Sequence, residues 1–76
     1  MIKIILPELG EGIDHAQVVR WIFQEGQRVT RDDDVVELVT DKAVFNVASP
    51  GSGTIIRICC REGAEVPVGA VLAEME

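Results

Sequence analysis

One histidine, two cysteines that sit side by side and only seven basic residues leave this 76-residue chain short of the groups from which most catalytic and polyanion-binding sites are built. His15 stands in a loop-like stretch and Cys59 and Cys60 lie within an apolar run, so no base and orienting partner are organised around a nucleophile. Hydrolase and thiol-enzyme chemistry are therefore set aside. Neighbouring strand residues point to opposite faces, which argues against a disulfide between Cys59 and Cys60, and two free thiols fit a reducing compartment. No further cysteine or nearby histidine completes a metal site, and the run Asp32-Asp33-Asp34 lacks the spacing of a calcium loop. Thirteen acidic residues bring the net charge to -6, which repels phosphate backbones and anionic bilayers and leaves nucleic acid and membrane as unexpected partners. Solubility alone accounts for most of that acidity. The opening MIKIILPELG has too short an apolar stretch to span a membrane and no small-residue cleavage site, so a soluble chain is expected. Helix signals, linkers and low-complexity stretches are likewise lacking.

What is present is the composition of a folded domain, 47% apolar and 26% charged, with room for one domain over residues 1–76. The chain also repeats itself. QVVRWIFQEGQRVTRDDDVVELV lies on TIIRICCREGAEVPVGAVLAEM so that Arg20 meets Arg57, Glu25 meets Glu62, Gly26 meets Gly63, Val29 meets Val66 and Glu37 meets Glu74. Val19/Ile56, Trp21/Ile58 and Val35/Leu72 match in character, which implies two halves related by pseudo-symmetry. Each half reads as a strand, a turn at Glu-Gly, a short extended piece, another turn and a second strand. Strict alternation with Arg20 outward places Val19, Trp21 and Phe23 inside, and the repeat places Ile56, Ile58 and Cys60 inside, leaving Cys59 outward beside Arg57 and Arg61. Gly26 and Gly63 stand where a turn needs φ > 0. The fold expected is all-β, a flattened barrel or sandwich of two small antiparallel sheets.

Between the halves, Val35–Val39 and Ala43–Ala48 read as strands flanking Thr40-Asp41-Lys42, a hairpin with Lys42 at its tip. Lys42 is one of only two lysines, the other being Lys3. A lysine on a protruding turn suits covalent attachment of a carried group, since the amine can be acylated and its long stem extends the reach. Taken by itself, such a lysine is ordinarily solvated surface.

The segments LPELGEGI at the start, VTDKA at the hairpin and SPGSG beyond it resemble the lipoyl domains of dihydrolipoyl acyltransferases, and the resemblance spans essentially the whole chain. It implies two four-stranded sheets about a pseudo-two-fold axis and lipoic acid in amide linkage on Lys42, flanked by Asp41 and Ala43. A bare ammonium at Lys42 is compatible with it. The family's glycine near the opposite end of the lysine sheet maps onto Gly53, which is expected, with Gly26 and Gly63, to be a structural turn residue. The loop Glu8, Leu9, Gly10, Glu11, Gly12, Ile13 and Asp14 maps onto a partner-recognition segment, or serves as a plain acidic surface loop whose glycines make turns. The implied role is that of a non-catalytic carrier within an acyltransferase chain, a monomer in isolation, with a flexible linker after Glu76. The implied partners are a thiamine-diphosphate-dependent 2-oxo acid decarboxylase, the acyltransferase catalytic domain, dihydrolipoyl dehydrogenase and a lipoate ligase. The expected setting is bacterial or archaeal cytoplasm ahead of the mitochondrial matrix. Asn46, where many relatives carry glutamate, and the Cys59-Cys60 pair depart from the pattern without touching the attachment motif. The nearest alternative, a biotin carrier domain, usually has methionine on both sides of its lysine. The glycine-cleavage carrier is longer and adds helix. An unmodified structural β domain is the remaining alternative.

Overall fold

β-branched residues in short runs, cut by Gly, Pro, Asp and Ser, favour strands over helix, and all regular structure among the described residues is β. The computed structural model describes residues 2–76. Its strands are β1 (Ile2–Ile5), β2 (His15–Trp21), β3 (Arg28–Val29), β4 (Asp34–Val39), β5 (Val44–Ala48), β6 (Gly53–Ile58), β7 (Glu65–Pro67) and β8 (Val71–Met75). They form two four-stranded sheets, ordered β1-β8-β6-β3 and β5-β4-β2-β7, antiparallel at every pairing.

The repeat is legible in this order, because β2, β3 and β4 correspond to β6, β7 and β8. Each half lends its short strand to the other half's sheet: β3 edges the sheet built on β6 and β8, and β7 edges the one built on β2 and β4. Neither half can therefore complete a sheet alone. The exchange is held by matched bonds. Gly26 N–H donates to Ile55 O at 2.7 Å and Gly63 N–H to Val18 O at 2.8 Å, while Glu25 accepts from Ile58 N–H at 2.8 Å and Glu62 from Trp21 N–H at 3.2 Å. The identity of Glu25 and Glu62 thus has a cause: each carboxylate satisfies a strand N–H in the opposite half. Gly26 and Gly63 both have φ 89°, the left-handed conformation expected of them.

The inward alternation departs from the expectation in β2 and β6. Val19 and Ile56, expected inside, are 42% and 39% exposed, while Val18 and Ile55 fill the core. The cause is a β-bulge in each strand: the register steps from Val18↔Leu38 to Arg20↔Glu37, and from Ile55↔Met75 to Arg57↔Glu74, leaving Val19 and Ile56 as the extra residues. One inserted residue reverses the faces of everything before it, so Trp21 is inside as expected and Val18, not Val19, is its companion. Phe23, Ile58 and Cys60 only lean on the core, half-buried, because β2 and β6 have ended or are ending there; Cys59 is exposed as expected. The core itself joins Ile4, Val18, Trp21, Leu38, Ile55, Leu72 and Met75, among others, from both sheets.

Gly53 is also relocated. It begins β6, in the sheet that does not carry the lysine, and it is not a turn residue. Its requirement is space: a Cβ there would lie 2.4 Å from Glu76 O, where Thr54 and Glu76 exchange two backbone hydrogen bonds of 3.0 Å.

Candidate functional site

β4 and β5 converge on the pair Val39↔Val44 and are joined by Thr40-Asp41-Lys42-Ala43, so Asp41 and Lys42 form the exposed tip. β5 begins at Val44, one residue later than the sequence suggests, because Ala43 is spent closing the turn. Thr40 N–H donates to Ala43 O at 2.9 Å, and the Thr40 hydroxyl accepts from the N–H groups of Lys42 and Ala43 at 3.2 Å each. This side-chain clamp substitutes for the missing ladder bonds and fixes the backbone under Lys42. The sequence reading places Thr40 in the turn without giving it a role, although a threonine opening a short polar turn is the residue type that does this.

Lys42 is exposed and, among the described residues, its amine enters no ion pair. Acylating it sacrifices no ion pair among the described residues, and the clamp holds the backbone beneath it. The residues thus fit a group carried through an amide on Lys42.

The structure brings part of the β1–β2 loop to the same place. Gly12, Ile13 and Asp14 line a cleft of about 270 Å³ together with Thr40, Asp41 and Lys42, and His15, Ala16, Gln17, Val39 and Glu65 complete it. Glu8, Leu9, Gly10 and Glu11 do not line it; Leu9 packs against the core and Gly10 O closes a turn by accepting from Ile13 N–H at 3.2 Å. Gly26, Gly53 and Gly63 serve the fold elsewhere.

His15, with no role beyond a dismissed one in the sequence, lies on the cleft wall. Its Nδ1 is 2.6 Å from Asp14 Oδ1 and its Nε2 is 3.6 Å from Glu65 Oε2. The Asp14 hydrogen bond, with the charge of Asp14 adding to it, raises the affinity of His15 for its proton above the ordinary value; Glu65 and Asp41 add smaller pulls the same way. The same hydrogen bond holds the Asp14 carboxyl below the usual range. Far from this cleft in sequence, burial pushes the Cys60 thiol up and Cys59 adds to it.

The C-terminal strand ends away from the lysine. Met75 Sδ is 3.4 Å from Ser49 Oγ, just past the end of β5 remote from the tip.

Comparison with known proteins agrees with this geometry. Residues 2–75 match the family model described as biotin-requiring enzyme, the biotin/lipoyl family. The chain is 39% identical over 72 residues to the dihydrolipoyllysine-residue acetyltransferase component of the pyruvate dehydrogenase complex of Mycobacterium bovis, covering 95% of this chain and 13% of that protein. It is 39% identical over 74 residues to the succinyltransferase component of the 2-oxoglutarate dehydrogenase complex of Rickettsia conorii, covering 97% of this chain and 19% of that protein. The chain thus spans less than a fifth of the length of these curated relatives. Among solved structures, the lipoyl domain of the 2-oxoglutarate dehydrogenase complex from Azotobacter vinelandii superposes with a TM-score of 0.79 at 33% identity, covering all of this chain and 96% of that one. A segment of a single-chain, multi-domain long-chain acyl-CoA carboxylase shares the fold at 23% identity and a TM-score of 0.72.

Proposed function

The chain belongs to the biotin/lipoyl family, and from that premise we propose that it is the lipoyl carrier domain of the acyltransferase component of a 2-oxo acid dehydrogenase complex, with lipoic acid on Lys42. The observation that carries this reading is Lys42 itself: exposed, without an ionic partner among the described residues, and mounted on a tip clamped by Thr40. Asp41 and Ala43, in place of the methionines usual beside biotinyl-lysine, favour lipoate over biotin. When bound, the dithiolane supplies reversible carriage of acyl groups and electrons. The protein's part is to present it: the tip gives a fixed root, and tethering keeps the carried group at millimolar-scale effective concentration near successive active sites, by the order of magnitude usual for short flexible linkers.

In this reading the domain makes and breaks no substrate bonds. Catalysis belongs to its partners: a thiamine-diphosphate-dependent 2-oxo acid decarboxylase, the acyltransferase catalytic domain and dihydrolipoyl dehydrogenase, with a lipoate ligase installing the arm. Recognition of these partners is assigned to the Glu8–Asp14 loop together with Asp41 and Ala43; Gly12, Ile13 and Asp14 flank the same cleft as Lys42, which supports it. A tether leaving after Glu76 departs from the end remote from the lysine and keeps that face clear. The bacterial relatives and the free Cys59 and Cys60 support a cytoplasmic setting.

The test is acyl loading. After lipoylation, incubation with a 2-oxo acid and its decarboxylase adds an acyl mass to the wild-type domain and none to Lys42→Ala, which keeps its β spectrum and a stability within about 0.5 kcal/mol of wild type. A Lys42→Ala chain that loads, or one that fails to fold, contradicts the assignment.

A further inference from the structure

We infer that the free edge of β5 is where the enzyme that acylates Lys42 docks, laying an extended, uncharged segment of its own beside β5 as a fifth strand of that sheet. The inference rests on the carrier reading. Each sheet has two edges, β1 and β3 in one, β5 and β7 in the other. An edge strand presents unpaired N–H and C=O groups, and proteins ordinarily guard it with charge, proline or shortness. β1 carries Lys3, β3 has two residues of which one is Arg28, and β7 has three, among them Glu65 and Pro67. β5, Val-Phe-Asn-Val-Ala, has five residues and neither charge nor proline. Among the described residues, the unguarded edge is thus the one that runs out of the lysine tip.

Exposed apolar surface gathers at the same edge. The large apolar side chains left exposed among the described residues are Ile5, Val19, Val44 and Ile56. Val19 and Ile56 are the bulge residues, which leaves Ile5 and Val44 to be accounted for. Val44, 59% exposed, lies on β5 itself, and Ile5 lines the groove of about 330 Å³ that separates β1 from β5, together with Asn46 and Ala48. The backbone is turned the same way. The bond from Thr40 N–H to Ala43 O makes those two a bonded pair, and antiparallel pairs alternate between bonded and non-bonded. The register runs without a break through Val39↔Val44, Leu38↔Phe45 and Glu37↔Asn46, so the N–H and C=O groups of Val44 and Asn46 point away from β4 to the open side. The Asn46 side chain is drawn back to Asp34 on β4, Nδ2 donating to Oδ2 at 3.2 Å, and leaves that side clear.

An uncharged edge calls for an uncharged segment, since a charge buried against it finds no partner. At about 3.3 Å per residue, a strand bonded to Val44 and Asn46 lies roughly 7–13 Å along the chain from Lys42. That suits an enzyme that must bring an acyl group to the amine itself, whereas enzymes that work on the carried group meet it at the far end of the arm. Main-chain pairing also separates Lys42 from Lys3: a strand laid on β5 sets the distance to the tip, while Lys3 sits within β1.

The test is amide hydrogen exchange, followed by NMR on the unmodified domain with lipoate ligase at about ten times its Kd, lipoate and ATP being left out so that nothing turns over. In the free domain the Val44 and Asn46 amides are expected to exchange faster than that of Phe45. With ligase both slow about elevenfold, the factor expected when exchange occurs only in the free form. In ligation kinetics Val44→Lys, which guards the edge with a charge, raises KM about tenfold and leaves kcat within about twofold of wild type. Asn46→Pro, which removes the outward N–H, raises KM roughly fivefold, the worth of one neutral hydrogen bond, and Asn46→Ala, which keeps that N–H, does not. If Asn46→Pro does not fold, the exchange data and Val44→Lys stand without it. Protection confined to residues 8–14 and 40–43, or an unchanged KM in Val44→Lys, overturns the docking. Protection of Val44 and Asn46 that grows with domain concentration and needs no ligase assigns the edge to a second copy and overturns it as well. A ligase that leaves Lys42 unmodified when supplied with lipoate and ATP overturns the carrier reading instead.

Discussion

Replacing Thr40 by valine keeps the shape of the side chain and removes only the hydroxyl that clamps the lysine tip. In the native turn that hydroxyl accepts from Lys42 N–H and Ala43 N–H at 3.2 Å each and donates to Ala43 O at 3.2 Å, while the Thr40 N–H to Ala43 O bond of 2.9 Å involves backbone alone and survives the change. A neutral hydrogen bond contributes about 0.5–1.5 kcal/mol net; at an exposed turn water can replace the lost partners, and Ala43 O keeps its backbone bond, which puts the three hydroxyl bonds together at about 1 kcal/mol. That energy governs opening of the tip rather than the core, because the nearest core side chain, Leu38, lies one strand residue back from Val39. A loss of about 1 kcal/mol corresponds to roughly fivefold faster hydrogen exchange at the Lys42 and Ala43 amides. Exchange at Val18, Leu38 and Ile55 should stay unchanged, and the rate of ligation onto Lys42 should fall with the rigidity of the tip. Unaltered exchange at Lys42 and Ala43, or a global loss of stability instead of a local one, would refute the clamp.

Other expectations follow from the same contacts. Glu25→Gln and Glu62→Gln each weaken a carboxylate bond that ties one half to the other; each should lower the urea-derived stability by about 1 kcal/mol, since a charge-assisted bond gives ~1.5–3 kcal/mol when shielded and both glutamates are exposed. Gly53→Ala drives a Cβ to 2.4 Å from Glu76 O and must displace it, at the cost of the paired Thr54–Glu76 bonds, about 1–3 kcal/mol on thermal or urea unfolding. The His15 ring, followed by NMR, should titrate above its ordinary midpoint and fall back in Asp14→Asn. Because the folded-state value is raised, the stabilisation from His15 is fully present below the unfolded value and is lost as pH rises through the folded one. Asp14, lowered, contributes above the ordinary carboxylate value and loses its contribution as pH falls through its native value.

Much of this was open to reading from residues alone, and the misreadings share a physical origin. The repeat disclosed two halves because Glu-Gly turns and flanking strands recur, and the tip disclosed itself because VELV and AVFNVA bracket the three polar residues Thr40, Asp41 and Lys42. The exchange of β3 and β7 between sheets was hidden, since strand order depends on pairings remote in sequence; the same is true of the roles of Glu25 and Glu62, whose identity was visible and whose partners were not. Period-2 alternation assumes an unbroken ladder, and a bulge breaks it. Val18-Val19 and Ile55-Ile56 are paired β-branched residues, so nothing in their chemistry says which of each pair turns inward. Gly53 looked like a turn glycine because SPGSG is turn-rich, whereas what it answers to is the backbone of Glu76. His15 carried no signal alone; its meaning comes from Asp14 beside it and from Glu65, brought across by β7.

The most direct test of the central claim is intact mass and peptide mapping after incubation with lipoate ligase, lipoate and ATP, with biotin ligase and biotin in a parallel reaction. The account requires one lipoyl increment, on Lys42 and not on Lys3, and no biotinylation; biotin on Lys42, or no modification by either ligase, would contradict it.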